Sequence, residues 1–409
     1  MRNRQCGKCR EFKSTVFTSG GGRCFECFER ALMHNLKTVM AREKMLPFKA
    51  KVAIAVSGGI SSTALSMMIQ GIVKRSAALS VDVHLVHVQD REQKTEGAAD
   101  AVCKLANHLG FPLSTSILDD SLQSTLSAVR DNTDEANLRR AYTIDILTRR
   151  AADLGCGVLL LGSSATRVAS DIVSAVVCGR GTQVMPAIAS HSFHSGCVLV
   201  CRPFRDVSAR AVTRWAVTRG ALIFSGYGGV GARGSSNSGA RDVNILSERF
   251  ILGLQEQNLS TCHTVVKTIA KLHEPSGSGV QCILCDGKVE PFEKKLQALP
   301  PRSVSFSNVL LGTNAENLLP SRQCQCADQN GGCGTKNASE ISRVREYDCH
   351  TSSTAVDGIE LCYACEQTIA RCGKDSTEKI LDAVDRRRLQ RRRESMRIQI
   401  KEFVLSDDE

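Results

Sequence analysis

The sequence predicts an α/β protein, a parallel sheet with helices on both faces, flanked at each end by a module built on paired cysteines. Three observations carry this. Short apolar runs, KVAIAV (51–56), VDVHLVHV (81–88), GVLLLG (157–162) and CVLVCRPF (197–204), alternate with helix-length segments, the pattern of βαβ units. Cys-x2-Cys pairs stand at Cys6/Cys9, Cys24/Cys27, Cys282/Cys285 and Cys362/Cys365. A Ser-Gly-Gly turn, Ser57-Gly58-Gly59, follows the first apolar run.

Along the chain, residues 1–45 hold the first two Cys pairs and a helical stretch from Glu26 to Lys44, and read as an N-terminal zinc-knuckle module. Residues 46–273 form the α/β domain, interrupted at 226–241 by GYGGVGARGSSNSGAR, a composition expected of a mobile loop. Two helices follow, near 242–256 and 261–273, with Ser260 or Thr261 as N-cap of the second. Residues 274–375 carry the other two Cys pairs around a polar, Cys-containing insert and read as a C-terminal zinc module. Residues 376–409 form a basic helix or tail.

Composition bounds the reading. The 409 residues include 53 Lys+Arg against 42 Asp+Glu, a formal net charge of +11, which favours a polyanionic partner without naming it. With 42% hydrophobic and 23% charged residues, a mostly disordered chain is excluded. Aromatics at 4% argue against a stacking platform for single strands. The opening MRNRQCGKCREF lacks an apolar signal core, and no apolar run approaches membrane-span length, so no membrane association is expected. The 19 cysteines are therefore expected to be reduced, the paired ones as metal ligands and the scattered Cys103, Cys156 and Cys178 as core residues.

Each Cys-x2-Cys knuckle presents two thiolates on one side of a tight turn, and two knuckles close a tetrahedron around zinc, with Zn–S near about 2.3 Å. Cys6, Cys9, Cys24 and Cys27, with fourteen residues between the pairs, make one such set. Cys282, Cys285, Cys362 and Cys365 make a second across a longer gap, where Cys324, Cys326, Cys333, Cys349 and His350 compete as ligands or form a site of their own. With no ligand position left open, the expected role is structural.

The segment KVAIAVSGGISSTAL (51–65) reads as a buried strand, a turn, and a helix beginning near Ser61 or Ser62. Gly58 and Gly59 allow close backbone approach, Ser57, Ser61 and Ser62 offer hydroxyls, and the first-turn N–H groups make a phosphate or other anion site. It is neither G-x4-G-K-[ST] nor G-x-G-x-x-G, which excludes P-loop NTPase and Rossmann readings.

VSGGISS resembles the SGGxDS signature of the PP-loop ATP pyrophosphatases, the adenine nucleotide alpha-hydrolase-like fold. With the flanking knuckles and the terminal LCYAC (361–365), the order of motifs over nearly the whole chain resembles the cytoplasmic tRNA 2-thiolation protein 2 family. The segment STCHTVVKTIAKLH (260–273) is similar to the stretch that precedes that family's C-terminal zinc module. The departures from active PP-loop enzymes are several. Ser61 stands where they carry an acid. LGSSATRVASD (161–171) stands where they carry TGHNADDxAET, with Ser163, Thr166, Arg167 and Ser170 replacing His, two acids and Glu. NTDEAN, without cysteine, precedes Leu138-Arg139-Arg140. The resemblance thus implies a degenerate site with no catalytic residue of its own, and a vestigial phosphate site at Ser57, Gly58, Gly59, Ser61 and Ser62.

It also implies a cytoplasmic subunit of the wobble-uridine 2-thiolation complex acting on tRNA for Lys, Glu and Gln. The implied partners are cytoplasmic tRNA 2-thiolation protein 1, as the subunit that uses ATP and Mg²⁺, and a thiocarboxylated ubiquitin-related sulfur carrier. Arg386, Arg387, Arg388, Arg391, Arg392 and Arg393 of the basic run, with Arg139 and Arg140, are the candidate tRNA-phosphate contacts. Two other readings stay open: an adenylating sulfurtransferase in its own right, and a zinc-knuckle RNA-binding adaptor.

Overall fold

In the computed structural model, which describes residues 5–18, 21–75, 80–90, 97–118, 120–181, 191–194, 198–224, 242–271, 282–285, 289, 361–372 and 374–404, the chain opens with an antiparallel pair of strands, β1 (Val16–Thr18) and β2 (Gly21–Arg23). It runs directly into helix α1 (Phe25–Arg42). The stretch then alternates as expected: β3 (Lys51–Ala55), α2 (Ile60–Arg75), β4 (Asp82–Gln89), α3 (Ala98–Leu109), β5 (Leu113–Ile117), α4 (Asp120–Ala128), α5 (Asn132–Asp153), β6 (Val158–Leu160) and α6 (Ala165–Val177). Strands β7 (His191–His194) and β8 (Val198–Cys201), helix α7 (Ala209–Thr218) and a 3-10 turn, Ala221–Phe224, complete this part. Four helices follow: α8 (Val243–Gln257), α9 (Thr261–Ile269), α10 (Tyr363–Ala370) and α11 (Lys374–Val404). The described residues all fall in one unit, residues 1–290 with 360–409. Among them no helix is long and apolar enough to cross a membrane.

The main sheet has the order β5-β4-β3-β6-β8-β7. The first five strands are parallel, while β7 is an antiparallel edge, pairing Phe193 with Leu199. β3 lies in the interior of the sheet, and its sequence explains why: after Lys51 every residue is buried, the continuous apolar run that a parallel strand covered on both faces requires. Its two faces differ in size. Val52, Ile54 and Val56 join Leu36, Leu65, Met68, Leu105 and Trp215 in one large cluster beneath α1, α2, α3 and α7. Ala53 and Ala55 face a smaller cluster with Leu147 and Ala151 of α5, where the small side chains let that helix sit close to the sheet.

Several local expectations differ from what is observed. Strand β5, Leu-Ser-Thr-Ser-Ile, lies at a sheet edge and is only half-buried, so its sequence lacks the apolar run that marks the inner strands. Cys103 is exposed on the outer face of α3, opposite Val102, Leu105 and Ala106, whereas Cys156 is buried as expected. Ser260 precedes α9, but its hydroxyl donates to Asn258 Oδ1 at 2.7 Å instead of capping the helix. The 226–241 loop and Cys324, Cys326, Cys333, Cys349 and His350 lie outside the described residues.

Candidate functional site

The turn between β3 and α2 stands at the C-terminal edge of the sheet, the edge at which open α/β sheets bind ligands. Gly58 adopts a left-handed φ of +74°, and a Cβ there would stand 3.1 Å from Ala98 Cβ and 3.3 Å from its backbone. The hydroxyls of the turn are engaged within it. Ser62 is buried: its Oγ donates to the Gly59 carbonyl at 2.9 Å and accepts from the Ser57 N–H at 3.3 Å. Thr63 Oγ1 donates to the same carbonyl at 3.1 Å. Ser57 is exposed and Ser61 half-buried, so these two hydroxyls lie at the rim.

The segment after β6 packs against that turn. Gly162 approaches so closely that a Cβ would stand 3.0 Å from the Ser62 N and Cα. Ser164 caps α6 by accepting from the Arg167 N–H at 3.4 Å. Thr166 is buried and fully employed in packing: it accepts from the Ala209 N–H at 3.1 Å and donates to Gln255 Oε1 at 3.3 Å. Arg167 pairs with Asp171 at 3.1 Å and with Glu248 at 3.6 Å, and the Ser170 hydroxyl returns to the Thr166 carbonyl. Asp171 also binds Arg140 of α5. Burial raises the Asp171 carboxyl, but Arg140 and Arg167 hold it below the usual aspartate range. Burial, and next to it the charge of Arg140, pull the Arg202 guanidinium down to about 10. Guanidinium groups outnumber carboxylates here.

Among the described residues, two groups could hold a metal ion: Cys6, Cys9, Cys24 and Cys27, and Cys282, Cys285, Cys362 and Cys365. In each group the four sulfurs lie within 4.8 Å of one another. The Cys9–Cys24 sulfurs are 3.8 Å apart and those of Cys285–Cys362 3.6 Å. A tetrahedron with metal–sulfur bonds of about 2.3 Å has edges of about 3.8 Å, so both groups have the size of a single tetrahedral ion. They are built alike. The first knuckle turns back on itself through the Arg10 N–H to Cys6 carbonyl bond, with Arg10 at φ 60°. The second pair opens a helix: Cys24 is the N-cap of α1 and Cys362 that of α10, which puts Cys27 and Cys365 in the first turns, where the helix dipole favours thiolate.

Without a cation, four crowded thiols ionise unevenly. Backbone N–H groups at Cys9 and Cys24 hold Cys6 down at about 5, while Cys27, hydrogen-bonded to Cys24, is pushed up to about 12. Hydrogen bonds from Cys285 and the other two thiols hold Cys282 far below the usual thiol range, and Cys365, bonded to Cys282, lies well above it. A bound cation removes that conflict by stabilising all four thiolates together.

The arginines expected at a nucleic-acid surface separate into two sets. Arg139 is largely buried and ion-paired with Asp90 and with Glu135, the latter at 2.7 Å, and Arg140 is held by Asp171, so both charges are engaged within the chain. Arg386, Arg388, Arg392 and Arg393 are exposed along α11, and Arg387 and Arg391 belong to the same helix. Sequence reasoning missed Arg180 and Asp134, buried between α5, α6 and α10. The only signal near them is Gly179, whose left-handed φ of +70° ends α6.

Comparison with known proteins bears on both parts of the chain. The family model described as Cytoplasmic tRNA 2-thiolation protein 2 matches residues 242–367, and that of the PP-loop domain matches residues 29–223. A cytoplasmic tRNA 2-thiolation protein 2 of Danio rerio is 21% identical, over 100% of this chain and 95% of its own. The protein of that name from Oryza sativa subsp. japonica is 25% identical, over 66% of this chain and 63% of its own length. Among solved structures, the U34-tRNA thiolase NcsA from Methanococcus maripaludis, solved with its 4Fe-4S cluster, superposes with a TM-score of 0.56 at 18% identity. That match covers 71% of this chain and 93% of NcsA, and it is a likeness of fold.

Proposed function

We propose that this chain, whose relatives include cytoplasmic tRNA 2-thiolation protein 2 over its whole length, is a member of that family and the supporting, non-catalytic subunit of a heterodimeric wobble-uridine thiolase. One observation carries the reading. At the edge of the sheet where PP-loop chemistry calls for acids, the chain presents Ser61, Thr166 and Arg167, and Thr166 is already spent on helix packing. A magnesium ion on ATP phosphates needs oxygen ligands of negative charge. A site in which guanidinium groups outnumber carboxylates repels that ion. The Ser57-Gly58-Gly59 turn, with Ser62 closed on itself, serves chiefly to build the strand–helix junction.

In this reading cytoplasmic tRNA 2-thiolation protein 1 supplies the ATP and Mg²⁺ chemistry, and sulfur arrives on a thiocarboxylated ubiquitin-related carrier. The substrates are the tRNAs for Lys, Glu and Gln. The chain divides as its sequence suggests, into a zinc module, a PP-loop-like domain, a second zinc module and a basic helix. Both four-cysteine groups hold zinc. Their sulfurs stand too close together to enclose a four-iron cube, and closed tetrahedra give the metal a structural role. The exposed arginines of α11 contribute salt-dependent, sequence-blind contacts to tRNA phosphates.

The deciding experiment measures tRNA-dependent pyrophosphate release and 2-thiouridine formation by this chain alone, by its partner alone, and by the pair. Activity only when both are present is expected. Robust pyrophosphate release from this chain alone would overturn the proposal.

A further inference from the structure

Arg180 follows α6 directly, in a place that the thiolation chemistry does not explain. Gly179 ahead of it lies against the Tyr363 ring, so closely that a Cβ would stand 3.1 Å from a ring carbon. The C-terminal end of α6 is therefore held against the start of α10, beside Cys362 and Cys365. The Arg180 side chain is only 8% exposed. Its Nε and Nη2 are buried and, among the described residues, have no hydrogen-bond partner. The neighbouring acid is Asp134, whose Oδ1 stands 3.8 Å from Nη2, beyond hydrogen-bond range. Asp134 is also shared, through its other oxygen, with Arg371 at 3.3 Å.

A buried cation with idle N–H groups calls for acceptors, and the Gly179–Tyr363 contact sets Arg180 beside the cysteine group, with no sulfur within hydrogen-bond range of Nε or Nη2. Burial opposes the Arg180 charge, while Cys365, Cys285 and Cys362, ahead of Asp134, are the groups that favour it. Four thiolates around one divalent ion leave an excess of negative charge, and such centres are tuned by N–H donors from residues that do not touch the metal. The guanidinium is planar, carries five donors and keeps its charge when buried, which suits it to this task better than an ammonium.

We propose that Arg180 is the outer-sphere partner of the metal centre formed by Cys282, Cys285, Cys362 and Cys365, its N–H groups donating to the bound thiolates and its charge offsetting theirs. The inference rests on reading that cluster as a metal site. Arg180 then helps join the centre to the α/β core, beside the Asp134–Arg371 pair and the Gly179–Tyr363 contact. The first centre, on Cys6, Cys9, Cys24 and Cys27, serves as an internal reference in the same molecule.

The test follows metal release from the full chain, purified with zinc, to the chelator 4-(2-pyridylazo)resorcinol. Wild type is compared with Arg180→Met and Arg180→Lys, and a Cys282→Ser variant identifies the release phase of the second centre. We expect Arg180→Met to lose second-centre zinc roughly 10–100-fold more readily, the usual scale for an outer-sphere ligand partner, with the first-centre phase unchanged. Arg180→Lys, which keeps the charge and loses the planar fork, should fall between, and it carries the test if Arg180→Met fails to fold. Identical release from wild type and both variants, with zinc at both centres, would overturn the inference and leave the metal reading intact. Wild-type protein with zinc at the Cys6 centre alone would overturn the metal reading of the second cluster, and the inference with it.

Discussion

Glu29 of α1 accepts hydrogen bonds from Trp215 Nε1 at 2.9 Å and from Arg219 Nε at 2.7 Å, although 186 and 190 residues separate the partners. The first turns of α1 also hold Cys27, so this contact ties the N-terminal cysteine centre to α7 and its neighbour in the α/β core. Arg219 further stacks on Phe25, 5.6 Å from the ring centroid.

Glu29→Ala should therefore destabilise the protein by about 1–3 kcal/mol, the scale for leaving a half-buried N–H donor without its acceptor. Trp215→Phe, which removes the donor and keeps most of the packing, should cost less, about 1 kcal/mol. Urea unfolding midpoints check both. An equal or larger loss for Trp215→Phe would mean that packing, not the hydrogen bond, dominates.

Removing one ligand from either cysteine group should weaken that group's hold on zinc and, under chelator competition, lower bound zinc from about two to about one per chain, since three thiolates leave the fourth position to water. Cys24→Ser should also free α1 at its N-cap, and Cys362→Ser should free α10. Cys103→Ser, at an exposed position, should change neither the metal content nor the stability. Elemental analysis with hydrogen exchange over the two helices separates these outcomes.

Asp171 neutralises Arg140 and Arg167 in a partly buried setting, and Asp171→Asn should cost about 3 kcal/mol by leaving those charges without their acid. The sign of the pH dependence follows from its lowered pKa. The carboxylate stabilises the fold fully above the ordinary aspartate value of 3.8, and that contribution is lost as pH falls through the lower folded-state value. The stability gap between wild type and Asp171→Asn should therefore be constant from pH 7 to about pH 4 and close below it. A gap that widens on acidification would contradict this assignment.

Gly58→Ala should cost about 1–2 kcal/mol because φ +74° is strained for alanine and Ala98 stands close by. Gly162→Ala should cost about 1–3 kcal/mol, because its methyl would press on Ser62 backbone, which cannot rotate away. Thermal unfolding measures both.

Ser61→Asp alone should not create tRNA-dependent pyrophosphate release. The other acids would still be absent, with Arg167 paired to Asp171 and the Thr166 hydroxyl held by Ala209 and Gln255. Measurable turnover in this single variant would mean that the loss of acids is shallower than these contacts imply.

The sequence made the architecture readable wherever burial was two-sided. β3, β6 and β8 announce themselves as unbroken apolar runs because helices cover both of their faces. β5 and β7 lie at the two edges, carry Ser, Thr and His, and leave no such trace. Cysteine spacing revealed the two four-sulfur groups because ligand geometry constrains each knuckle locally. Arg139 and Arg140 looked like a surface pair by composition, yet their fate depends on Asp90 and Asp171, 49 and 31 residues away, which no local pattern encodes. Arg180 was invisible for the same reason: a lone arginine after a helix is ordinary until the fold sets Gly179 against Tyr363 and Arg180 near Asp134.

The two cysteine groups differ in one respect that bears on how the protein is made. The first joins Cys9 to Cys24, 15 positions apart, and its ligands are complete within the opening segment of the chain. The second joins Cys285 to Cys362, 77 positions apart, so loop closure costs more and ligand supply ends near the last helix. An ion at the first group would have all four ligands once Cys27 is made, while most of the α/β core is still unmade. An ion at the second group would have to wait for Cys365, so a chain stopped before residue 362 leaves Cys282 and Cys285 without the other half of their group.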